Sequence, residues 1–105
     1  MLDTKLFADV ARQMMTASKV QLGGKTLPVR RSSSQRLRMV AFEMQGREYE
    51  AIEQNPEKPS RWGKLAHEGH QVVQLLDKSD GRFVAVAIDG KVKQYGAMRK
   101  KSKRS

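Results

Sequence analysis

The residues of this chain best equipped for chemistry gather in one short stretch. "PSRWGKLAHEGHQVVQ", residues 59–74, holds the single tryptophan, Trp62, and both histidines, His67 and His70. His67-x-x-His70, with Glu68 between them, is a spacing that can bring two imidazoles together on a helix, as the start of a metal site or an acid–base pair. Gly69 falls between them, however, and is placed to end a helix, which moves His70 into the next strand. No third clustered ligand follows from the sequence, and cysteine is absent. The pair therefore reads as a helix-end histidine and an edge histidine, with no metal. Trp62 has two readings. It precedes Leu65 by three positions, so both can anchor one face of a short helix to a sheet. Flanked by Arg61 and Lys64, the same ring is also a stacking surface beside cations, and such stacking contributes roughly 1–3 kcal/mol per base in single-strand binders.

The second group of candidates is cationic. Lys25, Arg30, Arg31, Arg36 and Arg38 lie in a 14-residue stretch without a single acid. Arg99, Lys100, Lys101, Lys103 and Arg104 crowd the last seven residues, again without an acid. These ten cations equal the net charge of +10, and the other eleven Lys and Arg are balanced by eleven Asp and Glu. The chain is thus a charge-neutral body carrying two basic segments, which attract polyanions such as nucleic acid at long range. In "LPVRRSSSQRLR", serine hydroxyls, guanidinium forks and backbone amides are the groups that phosphate contacts use. Alternatively, the same arginines pair with Glu48, Glu50, Glu53 and Glu57 of the neighbouring segment. The tail "RKKSKRS" raises affinity for any polyanion without specifying one.

Several functional classes are disfavoured. The sequence has no Walker-type phosphate loop, no Gly-x-Ser-x-Gly elbow and no His-Glu-x-x-His. Alternating Glu48 and Glu50 need no catalytic explanation on an exposed strand face. No enzyme activity or cofactor is expected. The absence of cysteine excludes disulfides and thiolate chemistry. The start, "MLDTKLFADV", lacks the apolar core of a signal peptide. No stretch approaches the roughly 18 apolar residues of a membrane span. A soluble, cytoplasmic protein is expected.

The elements that must position these residues follow from periodicity. Leu2, Leu6, Phe7, Val10, Met14 and Ala17 form one apolar stripe, predicting an amphipathic helix over 3–17 with Asp3 or Thr4 as its cap. The period then changes to two. A small hairpin is predicted around Gly23-Gly24, with Pro28 on a short or edge strand. "SSSQ" at 32–35 reads as a mobile polar connection. A second hairpin turns at Gln45-Gly46. Its first strand is substantially apolar on both faces near its start, as in a central strand partly covered on both sides. Two prolines in "NPEKPS" interrupt the sheet, and Ser60 caps a short helix near 61–67. Three further strands follow, with turns at "KSDG" and Asp89-Gly90.

The expected fold is α+β, an N-terminal amphipathic helix packed on a strongly bent, mainly antiparallel sheet or partial barrel of about six or seven strands. Residues 1–96 form the single globular domain and 97–105 a basic disordered tail. The leading functional expectation is a small non-enzymatic module that binds RNA or DNA through backbone contacts, RNA or single strands favoured, with weak sequence specificity. Trp62, with Tyr49 as a second candidate, would supply stacking. The alternative is a protein-interaction or regulatory domain with no nucleic-acid ligand. Geometry separates them. The binder gains if the basic loop, Lys64, Lys91 and Lys93 share a face, and loses if the loop arginines are tied to glutamates.

Overall fold

The apolar stripe of the N-terminus becomes α1, Thr4–Thr16, in the computed structural model, which describes residues 2–34 and 36–95. Asp3 caps it by accepting the Leu6 amide at 3.1 Å. Phe7, Val10, Ala11 and Met14 are its buried face. After Ala17 the chain forms a hairpin, β1 (Lys19–Leu22) with β2 (Lys25–Pro28), as a two-stranded sheet of its own. Gly23 and Gly24 both take positive φ in the turn, the conformation glycine adopts without a Cβ penalty. The Gln13 amide ties this hairpin to α1. Its oxygen accepts the Gln21 amide at 2.8 Å and its nitrogen donates to the Gln21 carbonyl at 3.2 Å. Val20 thereby reaches the core with no exposed surface.

The second sheet has six antiparallel strands in chain order: β3 (Arg30–Arg31), β4 (Arg38–Met44), β5 (Arg47–Glu53), β6 (Val72–Asp77), β7 (Arg82–Ile88) and β8 (Lys91–Gln94). Every connection joins sheet neighbours, so no crossover is needed. Alternation sends Val40, Phe42, Met44, Tyr49, Ala51, Val73, Leu75, Ala85 and Ala87 to one face, beneath α1. The helix touches β4, β5, β7 and β8, so the sheet curls around it without closing into a barrel. A bulge between Leu75 and Leu76 in the β6–β7 pairing locally increases the twist.

One detail differs from expectation. The two-residue β3 is an additional strand. It forms because Ser32 is tied to Arg36 and Leu37: the Ser32 amide donates to the Leu37 carbonyl, the Arg36 amide donates back to the Ser32 carbonyl, and the Ser32 hydroxyl accepts the Leu37 amide. β4 lies between β3 and β5, with Val40, Phe42 and Met44 buried on one face and Met39 part-buried near its start on the other, where Ala41 and Glu43 further along are exposed.

α2, Arg61–His67, stands on the face opposite α1, with Ser60 accepting the Gly63 amide as its cap. Val72 and Val86 are buried on this second face and lie outside the main core. A polar chain runs beside them. The Tyr95 hydroxyl donates to Gln74 at 3.2 Å, Gln74 donates to Gln54, and Gln54 donates to the Asn55 carbonyl at 3.1 Å. Gln54 is itself buried, and among the described residues no buried side-chain polar atom lacks a partner. Such a satisfied chain fixes one arrangement of α2 over the sheet.

At the other end of β6, Asp77 is buried and ion-paired with Arg47 at 2.9 Å. The hydroxyl and amide of Ser79 both donate to it, at 2.7 and 3.0 Å. The Ser79 hydroxyl bond is the largest influence holding its carboxyl below the ordinary value of 3.8, against the opposing effect of burial. A depressed carboxylate contributes stability above its unfolded pKa and loses it as pH falls through the folded value. Asp77→Asn is therefore expected to be less stable than the parent at pH 7, with the gap closing below about pH 4. Denaturant titrations at both pH values check this. A constant gap across the range would show that the carboxylate charge is irrelevant.

Candidate nucleic-acid interface

Sheet register decides which candidate residues meet. Arg30 pairs with Met39, Met39 with Ile52, Ile52 with Gln74, Gln74 with Val86, and Val86 with Lys93. Directly opposed residues point to the same side, so these six form one row across the whole sheet. With about 4.8 Å between strands, Arg30 and Lys93 bracket a span of roughly 24 Å. Lys91 faces the same way, opposite Ile88.

α2 stands on this face. Trp62 is half-buried, with its ring centroid 6.3 Å from that of Tyr95 and the Arg61 guanidinium 5.4 Å above it. Lys64 is exposed on the outer side of the helix. Both readings of Trp62 are therefore compatible with its position, since it anchors α2 and leaves part of the ring at the surface. Desolvation pushes the Tyr95 hydroxyl up to about 12, so it remains a protonated donor to Gln74 at neutral pH.

The basic loop does not form one patch. Strand alternation forces consecutive residues to opposite faces, so Arg31 turns away from Arg30. Arg31 pairs with Arg38 on the α1 side, where both line a recess at the C-terminal end of α1 with Met15, Ala17 and Val29. Arg38 donates to Glu53 at 3.4 Å, and its backbone amide donates to the same carboxylate at 2.9 Å. Two cations beside the last carbonyls of a helix complement its dipole, which gives them a structural use. Arg31 also donates to the Arg36 carbonyl, and Arg36 adopts a φ of 58° in the loop. Lys25 sits on the separate hairpin.

Of the four glutamates considered as partners, only Glu53 engages a loop arginine among the described residues. Tyr49 is removed from the stacking set. It is buried in the main core against Phe42, because its side of β5 faces α1. Arg99, Lys100, Lys101, Lys103 and Arg104 lie outside the described residues. Tyr95 was missed by sequence reasoning. The signal that identifies it is its alternation with Lys91 and Lys93, which keeps all three on one side.

His70 does other work. Its Nδ1 lies 2.7 Å from Asp89, whose second oxygen accepts the Gln71 amide at 2.9 Å. The Gln71 amide first, and His70 next, hold the Asp89 carboxyl below 3.8. Asp89 itself sits at φ 51° in the β7–β8 turn, where a short polar side chain is tolerated. The pair closes that turn. Among the described residues, no three His, Cys, Asp or Glu gather closely enough to hold a metal.

The fold and site define a small α+β domain, an open antiparallel sheet with one helix on each face and cations around an aromatic pair. No family model matches the chain, and no curated protein or solved structure is significantly similar to it. Among the described residues, no helix is long and apolar enough to cross a membrane.

Proposed function

We propose that the chain is a small non-enzymatic nucleic-acid-binding module that takes single strands, RNA foremost, on its α2 face. The observation that carries this reading is that Lys91 and Lys93 face the side of the sheet on which α2 presents Arg61, Trp62 and Lys64, with Arg30 at the far end of the Lys93 row. Lysines contact phosphates as point charges, and a base stacks on the Arg61 guanidinium that already lies over Trp62. A half-exposed aromatic beside cations selects unstacked bases over a closed duplex, because only splayed bases present their faces. Few side chains reach base edges, so sequence specificity is weak.

The test is fluorescence anisotropy with labelled single-stranded RNA, single-stranded DNA and duplex DNA across a salt series, using the full chain. Lys91→Ala/Lys93→Ala and Arg61→Ala/Lys64→Ala are each expected to weaken single-strand binding about tenfold. Each lost phosphate contact also lowers the salt slope by about 0.7. Arg31→Ala, on the opposite face, should change affinity by less than about twofold. Trp62 emission should be quenched on binding. Absence of binding near physiological salt, or binding that survives both double variants unchanged, overturns the reading. The second reading, a protein-interaction domain, is favoured by the Arg38–Glu53 pair and by Arg31 turning away from the α2 face.

A further inference from the structure

The sheet face that carries α2 has two unlike corners. In one, Val72 and Val86 are buried, and Arg61, Lys64, Lys91 and Lys93 are all exposed around them. Toward β4 and β5 the cover runs out. Beyond the Gln74 row lies a second cross-strand row, Ala41–Glu50–Leu76–Phe83, and Glu43 sits directly opposite Glu48 one step further along. Ala41, Glu43 and Glu48 are exposed, and Phe83 is 40% exposed, the one large apolar side chain so open among the described residues. Placing Glu43 opposite Glu48 costs stability, since directly opposed like charges repel. Among the described residues none of Glu43, Glu48 and Glu50 forms an ion pair, although Lys78 borders the first two. Nor does Lys64, Lys91 or Lys93.

Phe83 lies between the corners. With about 4.8 Å between strands and about 6.7 Å between alternate residues, it is roughly 12 Å from the centre of the three glutamates and roughly 11 Å from the midpoint of Lys91 and Lys93. A two-fold axis through Phe83, parallel to the sheet and along the boundary, therefore sets the acidic corner of one copy over the cationic corner of another. Shape agrees with charge. α2 rises about 10 Å above the sheet, and the bare acidic corner leaves room for one helix, so α2 of each copy fills the step in the other. The face measures about 24 by 23 Å, roughly 550 Å² before side-chain relief is counted. That approaches the roughly 800 Å² per partner of a standard interface.

We propose that the chain forms a symmetric dimer through this face, with Phe83 against its counterpart at the two-fold axis and α2 of each copy laid over β4 and β5 of the other. Arg61, Lys64, Lys91 and Lys93 meet Glu43, Glu48 and Glu50 of the second copy. The dimer does not rest on the function proposed above, but it bears on it. It covers the cations a nucleic acid uses there, so a second copy and a single strand compete for one face.

Sedimentation equilibrium of the full chain tests the dimer. At about 0.05 M salt the parent is expected to dimerise with a dissociation constant of about 10 μM, weakened about tenfold at about 0.5 M salt, where charges are screened within a few ångströms. Phe83→Ser removes the apolar centre and should weaken the dimer at least about tenfold. Glu43→Lys/Glu48→Lys/Glu50→Lys and Lys64→Glu/Lys91→Glu/Lys93→Glu should each be monomeric, because both corners then carry one sign. An equimolar mixture of the two should dimerise again, since a cationic face meets an acidic one. Circular dichroism matching that of the parent checks that each variant folds. A parent that stays monomeric at about 200 μM and low salt overturns the dimer. So do charge variants that still dimerise, or a mixture that stays monomeric. Excess single-stranded RNA is expected to convert the dimer into a one-to-one complex, and RNA held by an intact dimer overturns the competition. If no RNA binds, the proposed function fails while sedimentation without nucleic acid still decides the dimer.

Discussion

Phe7→Ala is expected to lower the unfolding free energy by about 3–5 kcal/mol, the range for truncating a fully buried phenylalanine. Phe7 has no exposed surface and stands in the stripe that α1 presses into the curled sheet. The sheet wraps around the helix on several sides, with β4, β5, β7 and β8 all touching it. Those strands meet through α1 as well as through their hydrogen bonds, so a cavity at Phe7 loosens both ends of the sheet together. Domains of this size have only about 5–15 kcal/mol in total. The loss should appear as a fall in thermal midpoint of roughly 15–30 °C in a single cooperative transition. Phe7→Leu, which keeps most of the volume, should retain the larger part of the stability. A loss under about 1 kcal/mol for the alanine variant would show that α1 is a peripheral element.

The local elements were legible because each rests on a short-range rule. The α1 stripe repeats at three and four, Ser60 follows a proline-broken segment, and the glycines stand at the turns that need positive φ. The uninterrupted antiparallel order also followed, since short loops between adjacent strands leave little choice. The extent of cover on β4 was less legible. Apolar residues on both faces near its start indicate an interior strand partly covered from two sides, and β4 does lie between β3 and β5 with Met39 part-buried beside Ile52, but Ala41 and Glu43 further along are exposed. Burial of that face depends on how far α2 extends, which no pattern within β4 records.

The candidate site was legible as a list of charges and illegible as a surface. Ten cations could be counted, yet register alone decides that Arg30 shares a face with Lys93 while Arg31 and Arg38 face α1. A slip of one residue would exchange the two sets. Glutamates adjacent in sequence were equally divided, Glu53 meeting Arg38 while Glu48 and Glu50 face the opposite side. The aromatic pair illustrates the same limit. Trp62 and Tyr95 are far apart in the chain, and they meet only because β8 delivers Tyr95 beneath α2.

Gly63→Ala is expected to destabilise α2 by about 2 kcal/mol, against the sign that helix propensity alone gives. In an ordinary helix interior, alanine is favoured over glycine by about 1 kcal/mol. Gly63 is buried at the first turn of α2, and a Cβ there would overlap the Lys58 carbonyl group. That carbonyl cannot swing aside cheaply. It accepts the Ser60 amide at 2.9 Å, and the Lys58 amide is itself bonded to the Asn55 carbonyl. The clash must therefore displace either the 55–60 loop or the helix, and both hold Trp62 over Tyr95. The main core lies on the other face of the sheet, so the damage should remain local where that of Phe7→Ala is global. Trp62 emission should shift to the red and its thermal transition should precede that of the sheet, followed by circular dichroism. Single-strand binding should fall along with the platform. If the alanine variant is instead more stable than the parent, the close approach of loop and helix is not a constraint, and Gly63 is there for another reason.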